Sequence, residues 1–299
     1  MAGRYIVTAI TLVSTAMLLV VRLRKRKLII ITKASTTTIH WKQRVRLHLV
    51  GAGPGDPELL TLAAVRALRE TDLIVADTLV PESIIERFVR KDTKVLVANK
   101  VKGKAHEAQM ELQQWTLEGL QKGLDVVRLK GGDPFLYGRG GEEVQFFASK
   151  GYQAEVIPGI SSSMVGPLSI GVPVTTRNFA DQFTVATLHG KRDSTPGVPS
   201  PYRPNRTVVF LMSVSRIDQL VQGLTEAGYP ASLGVSVVER ATLPNQRSMH
   251  TTIHQLMEDV VKFDLKSPSI IIVGGTAGNR AGLPQVIRWE NGGVVFDSY

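Results

Sequence analysis

The sequence predicts an α/β protein made of two α/β domains. Three observations support this prediction: short apolar runs typical of buried strands recur along the chain, helical patterns separate them, and glycine-rich turns follow several of them. With 299 residues, of which 43% are hydrophobic, the chain is long enough to bury the cores of two domains. We expect a basic tail over residues 1–44, an N-terminal domain over 45–157 and a C-terminal domain over 158–299.

The composition excludes several classes of protein. The chain has no cysteine, which excludes disulfide scaffolds, thiolate metal sites and cysteine nucleophiles. Its net charge of +10 comes from the tail, since residues 1–47 hold ten of the 36 Lys and Arg residues and none of the 26 Asp and Glu residues. The body therefore carries 26 charges of each sign, and this balance disfavours a nucleic-acid partner.

The tail contains an uncharged, mostly apolar run over residues 5–21. As a helix this run would be about 26 Å long, which is marginal for spanning a bilayer. We expect it to form a helical membrane anchor, and the basic run RLRKRK (22–27) that follows would keep the body on the cytoplasmic side. The alternatives are a transit peptide, which would place the protein in the mitochondrion, and an extension without consequence.

The first apolar strand, over residues 45–50, leads directly into the glycine-rich turn GAGPGDP (51–57). A helical pattern follows, and Asp77 closes the next strand, so the segment is similar in form to a dinucleotide-binding unit. Asp56, however, occupies a position where that unit needs a small residue, and we predict that it caps a helix with Pro57 in the first position. Because its carboxylate would repel a phosphate, a cofactor without phosphates fits this turn better than NAD. A tight turn without a ligand is the alternative.

A second glycine-rich loop, KGGDPFLYGRGGEE (130–143), follows the strand over residues 126–129. Its five glycines allow the backbone to approach a flat ligand, Asp133 offers a hydrogen-bond acceptor, and Phe135 and Tyr137 can cover an apolar face. It lacks the spacing of a phosphate-binding P-loop. Since ligands collect at the carboxyl ends of strands, we expect this loop, the first turn and Met212 to form one cleft for a small organic cofactor.

Six motifs carry a closer resemblance: VGAGPGDPELLTL (50–62), VRLKGGDPFLYGRGGEE (127–143), VIPGISS (156–162), GVPVTTR (171–177), ERATLPNQR (239–247) and SPSIIIVG (267–274). In this order the chain resembles the uroporphyrinogen-III C-methyltransferases of the tetrapyrrole methylase group, from about residue 45 to 275. The resemblance implies S-adenosylmethionine (SAM) bound between two domains, and usually a homodimer. It also implies methylation of uroporphyrinogen III at C2 and C7 to precorrin-2, a step of sirohaem or cobalamin-type biosynthesis, without a metal.

The resemblance also assigns roles to individual residues. It implies Asp77 as proton acceptor and Lys100 as proton donor, although Lys100 stands one residue beyond the usual spacing. Since the substrate has eight carboxylates, we expect Arg139 and Arg177 to pair with it. The implied cofactor contacts are Pro54, Gly131, Gly132, Asp133, Leu136, Ser161, Ser162, Met212 and Ala241.

Two other functions stay open at this point. One is a different methyltransferase on the same fold, acting on a precorrin, an RNA or a protein. The other is a non-catalytic, membrane-tethered protein that binds SAM or a tetrapyrrole, because the chain has Ser161 and Ser162 where the family usually has Thr and Ala. Turnover of uroporphyrinogen III would distinguish these alternatives from the implied activity.

Overall fold

The computed structural model describes residues 19–22, 28–31, 45–98, 105–189, 199–278 and 287–296, and it divides into a unit over 1–41 and a unit over 42–299. In the first unit, strands β1 (Leu19–Arg22) and β2 (Leu28–Ile31) pair antiparallel. The expected helix over residues 5–21 is therefore wrong for residues 19–21, which form a strand because they pair with β2; residues 5–18 lie outside the described residues. Among the described helices, none has both the length and the apolar character needed to cross a bilayer.

The second unit begins with a five-stranded parallel sheet in the order β5-β4-β6-β3-β7. Its strands are β3 (Leu47–Gly51), β4 (Leu73–Ala76), β5 (Lys94–Val97), β6 (Val126–Lys130) and β7 (Ala154–Ile157). Its helices are α1 (Leu62–Glu70), α2 (Glu82–Phe88), α3 (Ala105–Gln121) and α4 (Gly140–Ser149).

Helices cover both faces of this sheet. Successive strand residues point to opposite faces, so Leu49 belongs to a core cluster with residues of α3 and α4, whereas Val50 belongs to one with residues of α1 and α2. All residues of β4 and β6 are buried, as expected for central strands of a parallel sheet. Because β4, β6 and β3 are neighbours in the parallel sheet, the loops that follow these three strands lie side by side at its carboxyl edge.

The second sheet has the order β11-β10-β12-β9-β8, in which β8 and β9 are parallel and the other pairs antiparallel. Its strands are β8 (Gln182–Thr187), β9 (Arg206–Leu211), β10 (Gly234–Glu239), β11 (Arg247–Thr252) and β12 (Ser269–Val273). The accompanying helices are α5 (Ser162–Leu168), α6 (Ile217–Glu226), α7 (Leu256–Lys262) and α8 (Gly275–Gly278). A hairpin of β13 (Ile287–Glu290) and β14 (Gly293–Phe296) follows.

The α/β class is confirmed, and the structure differs from the sequence prediction in local detail. Asp56 caps a short 3-10 helix, Pro57–Leu59, and α1 starts separately behind Thr61, whose Oγ1 accepts a hydrogen bond from Ala64 N at 3.1 Å. The polar strand β11 was not predicted, because its sequence RSMHTT lacks an apolar run. The two-domain division stays a proposal, supported by one sheet within residues 47–157 and another within 182–273.

Candidate active site

A cavity of about 430 Å³ lies at the carboxyl edge of the parallel sheet. The loops after β3, β4 and β6 form one side of it, and residues of the second sheet, including Met212 at the end of β9, form the other. The volume is in the range of small-molecule sites, and the edge is where ligands bind in open α/β sheets. The predicted convergence of the two glycine-rich segments and Met212 on one cleft is confirmed.

The structure brings most of the predicted site residues together here. Asp77 and Arg139 line the cavity. Arg177 instead lines a second depression, formed by residues 175–181 and Asn205, so its contact with a substrate stays a prediction. Lys100 lies outside the described residues. All nine predicted cofactor contacts line the cavity: Pro54, Gly131, Gly132, Asp133, Leu136, Ser161, Ser162, Met212 and Ala241.

Three glycines let the ends of β3, β6 and β7 meet without side chains between them. A Cβ on Gly159 would lie 2.2 Å from the carbonyl oxygen of Gly132, and one on Gly51 would lie 2.5 Å from the nitrogen of Gly159. Hydrogen bonds join the same loops: Gly132 N donates to Gly53 O at 2.8 Å, and Gly53 N donates to Gly132 O at 3.2 Å. The two glycine-rich loops are thus held against each other at the cavity edge.

Two neighbouring glycines of the second loop, Gly131 and Gly132, line the cavity with backbone alone. Gly132 has a φ of +67°, and a Cβ there would have no heavy atom of the described residues within 4 Å. A Cβ on its neighbour Gly131 would meet Leu79 Cβ at 3.3 Å. Both glycines line the cavity, so a ligand can lie where side chains would otherwise stand.

Asp133 holds loops together at the same place. Its Oδ1 accepts a hydrogen bond from Phe135 N at 2.8 Å, and its Oδ2 accepts one from Gly159 N at 3.2 Å. Each carboxylate oxygen has a second lone pair, which leaves capacity for a ligand. The predicted ligand contact therefore stays a prediction, while the pinning of the loop after β7 is a function that the sequence did not reveal.

Asp77 follows β4 and is oriented by a buried ion-pair network. Arg128 NH2 donates to Asp77 Oδ1 at 2.5 Å, and the Arg128 side chain has no exposed surface. Arg128 NH2 also lies 3.3 Å from Glu143 Oε1, which accepts a hydrogen bond from Lys130 Nζ at 2.8 Å. The Asp77 side chain keeps 30% of its surface exposed. Its carboxylate is thus fixed on the protein side and accessible on the other, where the cavity lies.

Ser161 caps helix α5. Its Oγ accepts a hydrogen bond from Ser163 N at 3.2 Å and lies 2.9 Å from Ser163 Oγ. Ser161 therefore has a structural role as the N-cap of this helix. A contact with a cofactor stays a prediction for Ser161 and for Ser162, which both line the cavity.

Arg139 lies at the cavity with its charge already paired. Its guanidinium makes a two-nitrogen contact with Glu142, at 2.6 Å from NH2 and 3.1 Å from Nε to Oε2. The hydrogen bonds raise the pKa of Arg139 and lower the pKa of Glu142. A substrate carboxylate that binds Arg139 would therefore have to share the guanidinium with Glu142 or displace Glu142 from it.

Comparison with known proteins places the chain in a family. The model of the family Tetrapyrrole (Corrin/Porphyrin) Methylases matches residues 46–257, more than half of the chain. The chain belongs to the tetrapyrrole methylases.

Named relatives of this tetrapyrrole methylase include fungal and bacterial proteins. A probable uroporphyrinogen-III C-methyltransferase of Schizosaccharomyces pombe is 44% identical over 78% of this chain, and the match covers 46% of that relative's length. A uroporphyrinogen-III C-methyltransferase of Pseudomonas aeruginosa is 38% identical over 77% of this chain and 93% of its own. The chain thus spans less than half of the first relative and nearly all of the second.

A solved structure is also similar. Uroporphyrin-III C-methyl transferase from Thermus thermophilus, in complex with S-adenyl homocysteine, superposes with a TM-score of 0.66. It is 34% identical, and the match covers 77% of this chain and 92% of that one.

Arg240 is a residue of the tetrapyrrole methylase site that the sequence analysis missed. It lines the cavity with a φ of +51°, and Tyr137, Arg139 and Met212, which line the same cavity, also have this strained backbone conformation. Its guanidinium pairs with the buried Glu239. The motif ERATLPNQR contained Arg240, but a positive φ in a residue other than glycine leaves no mark in a sequence.

Glu239 itself is buried at the end of β10. Although burial acts to raise its pKa, the hydrogen bonds from Arg247 and from Lys266 N, together with the charge of Arg240, outweigh burial and lower the pKa. Arg247 NH2 lies 2.5 Å from Glu239 Oε2, and Lys266 N donates to the same oxygen at 3.1 Å. Glu239 thus holds Arg240 beside the cavity as part of an ion-paired group.

Proposed function

We propose that this tetrapyrrole methylase transfers methyl groups from SAM to C2 and C7 of uroporphyrinogen III, giving precorrin-2. One observation carries the proposal: a single cavity collects all nine positions that the resemblance assigns to the cofactor, together with Asp77 and Arg139. The relatives named uroporphyrinogen-III C-methyltransferase and the similar structure with bound S-adenyl homocysteine support it.

The cavity fits a nucleoside cofactor without phosphates. The open space over Gly132 provides a cradle that a Cβ would fill. The carboxylate of Asp56, close to the first turn, would repel a phosphate, and its two oxygens already accept hydrogen bonds from Glu58 N and Trp289 Nε1. Pro54 and Leu136 add apolar surface for an adenosine ring.

When bound, SAM supplies an activated methyl group on a sulfonium. The protein's main contribution is to hold the donor and the pyrrole carbon in line, which can be worth about 7–11 kcal/mol in well-oriented systems. The hydrogen bond from Arg128 and the position of Asp77 in the cavity lining support its role as acceptor of the proton that the macrocycle releases after the new carbon–carbon bond has formed. A proton-donor role for Lys100 stays part of the proposal.

Basic side chains at the cavity are suited to the acidic arms of the substrate. Arg139 and Arg240 both line it, and an arginine can bind a carboxylate through two parallel hydrogen bonds. Each is paired in the structure, Arg139 with Glu142 and Arg240 with Glu239. We therefore expect substrate binding to compete with the exposed Arg139–Glu142 pair before it disturbs the buried Glu239.

The assembly and the location also belong to the proposal. We infer a homodimer from the resemblance, and a cytoplasmic body tethered by the N-terminal tail, with the mitochondrion as the alternative location. Light scattering of the purified full-length chain tests the first, with a monomer mass contradicting it. Fractionation of cells expressing the tagged chain, with and without residues 1–44, tests the second.

The decisive experiment is turnover. The full-length chain is mixed with SAM and enzymatically generated uroporphyrinogen III, and the tetrapyrroles are analysed by mass spectrometry. We expect a product with two added methyl groups and a matching amount of S-adenosylhomocysteine (SAH). Binding of SAH without a methylated tetrapyrrole would instead support a non-catalytic binding protein, and methylation of a precorrin alone would support a different enzyme of the family.

A further inference from the structure

The C-terminal hairpin contacts the first glycine-rich turn. Its own turn contains Asn291 and Gly292 with φ values of 47° and 76°, as in the usual two-residue hairpin. An isolated two-stranded hairpin is at best marginally stable, so this one depends on packing. Trp289 Nε1 donates to Asp56 Oδ2 at 2.7 Å, and a Cβ on Gly292 would lie 2.8 Å from Glu58 Cβ. Both contacts fall on the segment that follows β3.

Asp56 connects three parts of the unit. Its Oδ1 accepts a hydrogen bond from Glu58 N at 2.8 Å, its Oδ2 accepts the one from Trp289, and its own N donates to Thr242 Oγ1 at 3.1 Å. Thr242 lies in the loop after β10, where the residues on either side of it line the cavity. Pro54, two residues before Asp56, lines the opposite wall. Asp56 therefore joins both walls of the cavity to the hairpin.

We propose that Trp289 is a positioning residue for the cofactor, which acts through Asp56 on the turn that carries Pro54. The inference rests on the proposed function, because it assumes that this turn contacts SAM. A hydrogen bond from an indole N–H to a carboxylate is charge-assisted and stronger than a neutral one. Without this hydrogen bond, the turn that carries Pro54 is less well ordered in the free protein. Cofactor binding must then order the turn, and this lowers the affinity.

Two substitutions in the full-length chain test this role. W289F keeps an aromatic ring and removes the N–H donor. D56N keeps an oxygen to cap Glu58 N but places an amide NH₂ opposite the indole N–H, since asparagine is an equally good cap. We expect each variant to raise the Kd for SAH, measured by calorimetry, and the KM for SAM by about three- to tenfold, with kcat nearly unchanged. The double variant D56N/W289F should bind SAH no more weakly than the weaker single variant.

V295A is the matched control on the same hairpin. Val294 lies opposite Trp289 and shares its face, so Val295 points to the other face. Its Kd for SAH should equal that of the wild type, and thermal melting without ligand shows whether each variant is folded. A W289F Kd equal to the wild-type value, or losses that multiply in the double variant, would overturn the inference alone. A wild-type chain that does not bind SAH would overturn the proposed function and this inference with it.

Discussion

Replacing Gly132 by alanine should have two separate effects, one on the stability of the fold and one on the affinity for the cofactor. With a φ of +67°, an alanine costs about 1–2 kcal/mol in the left-handed conformation, which corresponds to a fall in Tm of about 2–8 °C for a chain of this size. The new methyl group meets no described heavy atom within 4 Å, and Gly132 lines the cavity that we propose for SAM. Crowding of 1–3 kcal/mol there would raise the Kd for SAH by about 5- to 150-fold.

Gly123 provides the matched control. It has a φ of +83° in the exposed turn between α3 and β6, and the described part of the chain places no heavy atom within 4 Å of a Cβ on it. G123A and G132A should therefore lose similar stability in thermal melting, but only G132A should lose SAH affinity by calorimetry. If G132A binds SAH as tightly as the wild type, the cradle at Gly132 is not the cofactor site.

Three other outcomes follow from the site. G159A should lower the free energy of unfolding by more than 3 kcal/mol or prevent folding, because its Cβ would lie 2.2 Å from Gly132 O; denaturant curves within 1 kcal/mol of the wild type would contradict this. Because the pKa of Glu239 is lowered in the folded protein, the stabilisation by this carboxylate is complete above the ordinary pKa of 4.5 and is lost as the pH falls through the folded-state pKa. The free energy of unfolding of E239Q should therefore fall less steeply with decreasing pH than that of the wild type. Equal slopes in the acid range would refute this. D77N should reduce kcat at least 100-fold while SAH binding stays within threefold, and an equal loss of both would reject a role as proton acceptor.

The secondary structure was predictable where residues act locally. Apolar runs located the strands before the two glycine-rich loops to within two residues, since residues 45–50 and 126–129 were expected and β3 (Leu47–Gly51) and β6 (Val126–Lys130) are observed. The capping chemistry of Asp56 identified the helical start after the first turn. An element that depends on contacts with a distant segment could not be predicted in this way. Strand β11 has alternating polar residues and depends on pairing with β10, and pairing between distant segments has no local signal.

What the sequence by itself determined was the inventory: two glycine-rich loops after buried strands, an acid that disfavours phosphate, and the motifs that assign nine positions to a cofactor. Only the tertiary structure decided which of these meet. In the structure, Asp77 contacts the buried Arg128, and Arg177 lies in a separate depression. Arg240 lines the cavity, and Trp289 contacts the first glycine-rich turn beside it. The reason is that local sequence sets backbone preference and burial pattern, whereas strand order and register, which are set by packing between distant segments, determine which side chains become neighbours.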